Sequence, residues 1–431
     1  MRIFLFGWLL FFTAHAWAAA KIEHWQTAQG SRVYFIHTDD LPLVDIQVVF
    51  DAGSARDGEQ YGVAALTAGL LDTGAGNLNA DAIAQSFDSV GAEFSTSSAT
   101  DTATVTLRSL TEPALLKKAL ATMQAVITQP TFNPQDFERE KKRTLAGLTQ
   151  QQESPGDIAN IAFSQALYGA HPYAHPDNGT LATVTKLTRN DVKRFYQRYY
   201  VASNAMLVIV GNLTQQQAAD TAEQLLKGLA PGQKPDAIPD VVMPKSASTK
   251  HIPFPSTQTH VLIGLPGSYR KDPDYFSLYV GNHILGGGDL VSRLFSEVRE
   301  KRGLAYSAAS AFIPMLKPGP FLVSLQTRND QAQQALDVAR KTLADFIAQG
   351  PSEDEVNAAK KNIIGGFAMR FDTNKKLASY LSMIGFYQMP LDYLDTFKQQ
   401  IEQVSAASIR DAFARRVKQD LLQTVTVGNA K

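Results

Sequence analysis

RLFSEVREKRGLAY, residues 293–306, carries two hydrogen-bond donors of matched chemistry, Arg299 and Tyr306. The run from Asp289 to Lys301 reads as a helix that ends near Gly303, a residue suited to the left-handed C-cap. Tyr306 then opens a strand. A guanidinium and a phenol can both donate to a developing oxyanion without changing their own charge state. The competing structural role is a salt bridge for Arg299 and a core-edge position for Tyr306. Arg293, Arg302 and Glu297 read as solvated or ion-paired helix residues. Gly286-Gly287-Gly288, just upstream, lacks the G-x-x-x-x-G-K-[ST] order of a phosphate loop and reads as a turn at a helix boundary.

Working outward, the same region has a diverged copy in the first half of the chain. DAGSARDGEQYGVAALTAGLLDTG lies over LPGSYRKDPDYFSLYVGNHILGGG. Gly53, Ser54, Arg56, Tyr61 and Gly74 match Gly267, Ser268, Arg270, Tyr275 and Gly288 at a constant offset. FEREKKRTLAGL from Phe137 matches EVNAAKKNIIGGF from Glu355 with slight slippage. Two matches in the same order point to an internal duplication. GLAPGQKPDAIPDVVMPKSAST, from Gly228, has four prolines and no helical period, and reads as the linker. The expected organisation is a leader over 1–20, a first domain over 21–227, a linker over 228–249 and a second domain over 250–431.

Each half begins with an alternating strand; Val44, Ile46, Val48 and Phe50 share one face, with Asp45 and Gln47 on the other. A helix, a second strand and a long amphipathic helix follow. Thr111 is the expected N-cap of the first long helix, whose stripe is Leu116, Leu120, Met123 and Ile127. Asn329 or Asp330 is expected to cap its counterpart, with the stripe Leu336, Ala339, Leu343 and Phe346. The alternation predicts an α+β fold, in which each mainly antiparallel or mixed sheet carries helices on one face.

The 431 residues have no net formal charge, so no basic field argues for nucleic acid or anionic lipid. With no cysteine, disulfides, thiolate metal sites, cysteine nucleophiles and lipoprotein anchoring are excluded. Residues 1–20 place Arg2 before an apolar run, Ile3–Phe12, and Ala16-Trp17-Ala18, the order of a secretory signal peptide. Cleavage after Ala18 or Ala20 and a periplasmic or otherwise exported product are expected. No later segment reaches the ~18 apolar residues of a spanning helix. Of the eight histidines only His171 and His175 are four apart, and Pro172 and Pro176 break any helix between them. They read as loop histidines, and His283 as a packed one.

GGGDLVSRLFSEVREKRGLAYS, LTRNDVKRFYQRYYVASNAMLVIVGN from Leu187 and HPYAHPDNGT from His171 together resemble the pitrilysin, insulin-degrading-enzyme and mitochondrial-processing-peptidase family of zinc peptidases, over nearly the whole mature chain. The resemblance implies two α/β-roll domains facing a cavity. It also implies a zinc motif, H-x-x-E-H, in the first half and a third ligand on the next long helix. The chain reads GVAALTAGLL from Gly62, so the motif positions fall on Ala65, Ala68 and Gly69, and the third ligand on Ala146 or Gly147. None of these can bind a metal or move a proton. Arg299 and Tyr306 match the family's Arg/Tyr pair. The family also docks substrate as an added strand, which falls here on Phe94, Ser95 and Thr96.

Two functions follow from that pattern. In one, the chain is the non-zinc subunit of a heteromeric metallopeptidase. A homologous partner carries H-x-x-E-H and zinc, this chain supplies Arg299 and Tyr306, and a peptide or unfolded protein is the substrate. In the other, it is an inactive peptide-binding or scaffold protein of the same fold. Neither reading places a cofactor on this chain.

Overall fold

The computed structural model describes residues 21–429; the expected leader lies outside them. The first half runs β1 (Glu23–Gln26), β2 (Arg32–His37), β3 (Leu43–Phe50), α1 (Val63–Leu70), a small hairpin of β4 (Gly74–Ala75) and β5 (Leu78–Asn79), α2 (Ala80–Asp88), β6 (Glu93–Ser98) and β7 (Ala103–Leu110). Then come α3 (Pro113–Thr128), α4 (Pro134–Gln151), α5 (Pro155–Tyr168), α6 (Leu181–Lys186), α7 (Arg189–Tyr199), β8 (Ala205–Gly211) and α8 (Gln215–Leu226). The second half has β9 (Ser248–Pro253), β10 (Gln258–Pro266), α9 (Tyr275–Asn282), α10 (Arg293–Phe295), β11 (Ala305–Phe312), β12 (Pro320–Arg328) and α11 (Ala332–Gln349). It closes with α12 (Glu353–Gly365), α13 (Asn374–Phe386), α14 (Tyr393–Gln403), α15 (Ala406–Arg416) and β13 (Gln423–Gly428). No helix among the described residues is long and apolar enough to cross a membrane.

The duplication is visible in the strand orders. The first sheet runs β1-β2-β8-β3-β7-β6 and the second, read from its far edge, β9-β13-β10-β12-β11. In both, the one parallel pair (β2 with β8, β9 with β13) sits at the same place, and every other pair is antiparallel. The matched GSxR segments follow β3 and β10, and the second match falls on α4 and α12.

Each sheet packs its own helices on one face, as the alternation requires. Val44, Ile46, Val48 and Phe50 meet α1 and α3 in one core. The opposite face is not left to solvent. Tyr34, Ile36, Val49, Met206, Val208 and Val210 are buried with Ala378, Leu381 and Ile384 of α13, a helix of the second half. Asp45 and Gln47, which read as the outer face of β3, are therefore buried, and each has a partner. Arg108 grips Asp45 with two 3.0 Å bonds, and Ser382 on α13 donates to Gln47. The exchange is reciprocal: Ala159, Ala162, Phe163 and Leu167 of α5 pack on Leu262, Val425 and Val427 of the second sheet.

Polar contacts fix this arrangement. Arg32 donates to the Gly385 carbonyl at 2.7 Å, and Thr38 to Asn374 Oδ1 at 3.0 Å. Asp101, buried in the β6–β7 turn, accepts from Tyr173 (2.7 Å), from the Leu316 backbone (2.9 Å) and from Tyr387 (3.1 Å), so a carboxylate of one half is satisfied largely by the other.

Some local expectations need correction. Glu112, not Thr111, caps α3, accepting from the Ala114 and Leu115 amides; Pro113 at the first helical position shifts the start by one residue. Neither Asn329 nor Asp330 caps α11. Both lie in a 3₁₀ turn that leads into it, where Asn329 bonds Thr259 and Asp330 pairs with Arg328.

A side chain at Gly385 would meet Met206 Sδ at 2.6 Å and the Tyr34 ring at 2.7 Å, both across the exchange. Gly385→Leu is expected to cost about 1–3 kcal/mol, as overpacking does. A lowered midpoint in urea denaturation checks this; an unchanged midpoint would mean that the two halves yield there freely.

Candidate functional site

The first half contains a cavity of about 360 Å³ where the zinc motif was expected. Ala65, Ala68 and Gly69 of α1 form one wall, Gly147 and Glu140 of α4 another, and Thr96 to Ser98 of β6 a third. Of the two candidates for the fourth position, Gly147 faces the cavity. The α1 end is set by Asp57, which accepts from the Gly62 and Ala64 amides at 2.6 and 2.9 Å. Burial pushes this carboxyl up to about 8 even so, and the nearby Asp177 adds to the rise.

The residues there do not fit a zinc ion. Glu140 is the only carboxylate in the lining, and Arg143 holds it through Nε at 3.0 and 3.1 Å. A side chain at Gly69 would stand 3.0 Å from Glu140 Oε1, so the glutamate occupies the space that a ligand at Gly69 would need. Among the described residues no group of three or more His, Cys, Asp or Glu side chains converges. His171 is committed at both nitrogens, to the Pro239 carbonyl and the Tyr173 amide, and His175 stacks on Tyr61 at 4.1 Å. The His283 ring nitrogen Nε2 is buried without a partner. Burial lowers the pKa of all three. Glu140 and Arg143 were not singled out from the sequence, although Glu140, Thr144, Gly147 and Gln151 recur at helical spacing.

β6 is the edge strand of its sheet, paired only with β7. Thr96 lines the cavity, whereas Phe94 turns into the core and stacks on Phe87 at 4.4 Å; Ser95 is exposed. What the edge offers a peptide is its backbone, as strand addition requires.

Arg299 and Tyr306 lie together in the second half. The helix expected from Asp289 to Lys301 is broken. A 3₁₀ turn over Asp289–Val291 leads to Ser292, whose hydroxyl caps α10, and the next turn, Ser296–Glu300, is widened to π geometry. Gly303, at φ +59°, ends it: its amide reaches Arg299 O and that of Leu304 reaches Val298 O. A register shift in β11 between Ala305 and Ala308 leaves consecutive residues Tyr306 and Ser307 both exposed, Tyr306 at 80%. Such a bulge re-aims a side chain.

The Arg299 guanidinium is sandwiched, 4.9 Å from the Phe295 ring and 4.6 Å from the Tyr306 ring. It makes no ion pair among the described residues. Its neighbours do: Arg293 with Glu355, and both Lys301 and Arg302 with Glu297. The pair therefore has neither structural role that competed for it in the sequence, since Arg299 lacks a carboxylate and Tyr306 lies outside the core. Neither residue lines the cavity at Ala65.

Both halves match known family models. Residues 32–180 match the insulinase (peptidase family M16) domain, and residues 186–363 the peptidase M16 inactive domain. A crystal structure described as a peptidase M16 inactive domain from Pseudomonas fluorescens is 35% identical, with a TM-score of 0.92 over 95% of this chain and 98% of that one. The chain belongs to the M16 peptidase family. A Helicobacter pylori protein named non-peptidase homolog YmxG is 25% identical over 96% of this chain and 95% of its own length. Bacillus subtilis YmxG, named an uncharacterized zinc protease, is 24% identical over 84% and 88%. A chain of complex III2 from Candida albicans, 16% identical with a TM-score of 0.80 over 94% of this chain and 96% of that one, shares the fold.

The Arg293–Glu355 pair ties α10 to α12 through two 2.7 Å bonds. Hydrogen bonding from Arg293 holds the Glu355 carboxyl down at about 2, although partial burial opposes it. A depressed folded-state pKa gives stability that is present above the ordinary carboxylate range, near 4.3, and lost as pH falls toward 2. Part of this is screened, because the two side chains are 27% and 34% exposed. Glu355→Gln should flatten the acid limb of stability between about pH 4.3 and 2, measured as denaturation midpoint against pH. An unaltered limb would show that the pair contributes nothing.

Proposed function

We propose that this chain is the non-zinc subunit of a two-chain metallopeptidase. It supplies Arg299 and Tyr306 to a zinc site on a homologous H-x-x-E-H-bearing partner. The observation that carries this reading is the contrast between the halves. The positions for metal and base are Ala65, Ala68, Gly69 and Gly147, while Tyr306 is exposed and the half-buried Arg299 stacks on it without an ion pair among the described residues. A scaffold has no need of an arginine held beside an exposed tyrosine without a counter-ion. Guanidinium and phenol donors would bind the scissile carbonyl and its oxyanion at the partner's site.

The purified chain alone should hold no stoichiometric zinc after dialysis and cleave no peptide; one tight zinc with chelator-sensitive cleavage would overturn the reading. Mixed with a zinc-bearing homologue, it should create or greatly raise peptidase activity. In that complex Arg299→Ala and Tyr306→Phe should each lower kcat by about 10²–10³, the typical loss for an oxyanion donor, with zinc content and association intact. Arg299→Lys should also be impaired, because a point ammonium does not reproduce a planar fork of donors. If both variants turn over peptide like wild type, the pair is structural and the peptide-binding or scaffold reading takes its place. The free β6 edge beside the Ala65 cavity would then be the docking strand.

Export belongs to the same proposal and rests on Arg2, the short apolar run and the small residues before Lys21. The mature protein should begin near Ala19 or Lys21 by mass spectrometry. Intact Met1 in the membrane fraction would make the segment an anchor.

A further inference from the structure

The second half has its own version of the emptied cavity. α9 stands where α1 stands and β11 where β6 stands. Under the offset that aligns Gly53 with Gly267, Ala65 becomes Tyr279, Ala68 becomes Asn282 and Ser98 becomes Phe312. All three replacements line a cavity of about 490 Å³, well within the range of roughly 300–1,000 Å³ of small-ligand sites. Tyr275, Tyr380 and Met383 add to its apolar and aromatic wall, and two guanidinium groups, Arg270 and Arg370, reach it. No carboxylate lines it.

Neither arginine makes an ion pair among the described residues. The duplication shows what Arg270 has lost. Its counterpart Arg56 is held by Asp51 through Nε at 2.7 Å and Nη2 at 2.6 Å. At the position matching Asp51 the second half has Leu265, fully buried. Arg270 is left with Tyr387, whose ring centroid is 5.3 Å away and whose hydroxyl it hydrogen-bonds, and its Nε is buried with no hydrogen-bond partner. Arg370 lies 5.7 Å from the Tyr279 ring centroid and hydrogen-bonds the Tyr279 and Tyr380 hydroxyls, so it has neutral partners but no counter-ion. An enclosed guanidinium with an unused donor is costly unless an anion completes it. Planar forks of this kind match a carboxylate.

We propose that this cavity binds a small organic carboxylate with an apolar body, the carboxylate held by Arg270 and Arg370 and the body lodged among Tyr275, Tyr279, Tyr380 and Met383. The aromatic wall argues for an organic ligand over inorganic phosphate. A free hydrophobic acid and the C-terminus of a short peptide offer the same chemistry. The site uses neither Arg299 nor Tyr306, so it stands or falls apart from the two-chain reading.

The test is calorimetric titration of the full chain at low salt with 4-phenylbutyrate, its amide, N-acetyl-Leu-Phe, the corresponding dipeptide amide, and inorganic phosphate. Both acids should bind, and each amide should bind at least about tenfold more weakly, the scale of one charge-assisted hydrogen bond. A tighter peptide acid assigns a peptide C-terminus as the source, and a tighter phenylbutyrate a free acid; either supports the site. Arg270→Gln and Arg370→Gln should each weaken the acids by a similar factor, whereas Arg328→Gln, on the exposed surface, should not. The acid–amide comparison needs no variant, so a misfolded mutant cannot mask the result. Equal binding of acid and amide, phosphate binding as tight as the acids, or no binding of any acid up to about 10 mM would overturn the proposal.

Discussion

The exchange of α5 and α13 between the halves sets the geometry of everything else. Each sheet has two apolar faces, and its own helices cover only one. The second face is closed by a helix that belongs, in sequence, to the other half. Each fully buried Leu, Ile or Phe in such an interface contributes about 1.5–3 kcal/mol relative to exposure, so Leu381, Ile384 and Phe163 alone make separation expensive. Burial on both faces would make a charge in β3 costly, and Asp45 is tolerable there because Arg108 answers it with two bonds.

Locked halves can diverge independently at equivalent positions. The α1 face has been reduced to Ala65, Ala68 and Gly69, and Glu140 with its Arg143 partner has moved into the space. The α9 face has gone the other way, to Tyr279 and Asn282, with Arg270 and Arg370 in the cavity wall and no carboxylate there. Beyond it, the widened turn at Ser296–Glu300 and the bulge in β11 bring Arg299 and Tyr306 into stacking distance and turn the phenol outward.

Much of this was legible in the sequence. The repeated GSxR segments foretold a duplicated fold, and GVAALTAGLL, laid on the family's motif, pointed to the helix that walls the cavity at Ala65. The α3 and α11 stripes fall on the core as their spacing requires. What escaped detection depends on distant contacts or single-residue geometry. Asp45 and Gln47 look like an exposed face because alternation cannot reveal a helix arriving from more than 300 residues away. Thr111 and Glu112 are both reasonable caps, and only the placement of Pro113 decides between them. A bulge leaves no mark in hydrophobic period, so the outward turn of Tyr306 was not readable. That Arg270 has Tyr387 beside it, rather than a carboxylate, emerges only when the two halves are laid over each other.

The segment joining the halves is held in an unusual currency. Arg56 and Arg198 bond the carbonyls of Asp236 and Gln233, His171 bonds that of Pro239, and the amides of Ala202 and Ser203 bond those of Ala230 and Pro231. Five contacts read the main chain, and Lys317 with Asp240 is a side-chain exception. Main-chain oxygens are present whatever residue follows them. Sequence drift along 230–239 is therefore tolerated except at Gly232, where a Cβ would meet Val201 at 2.3 Å, and at the buried Ile238, while a change in the number of residues would put every acceptor out of step. In relatives that keep this clasp, the connection should vary in letters and hold its length.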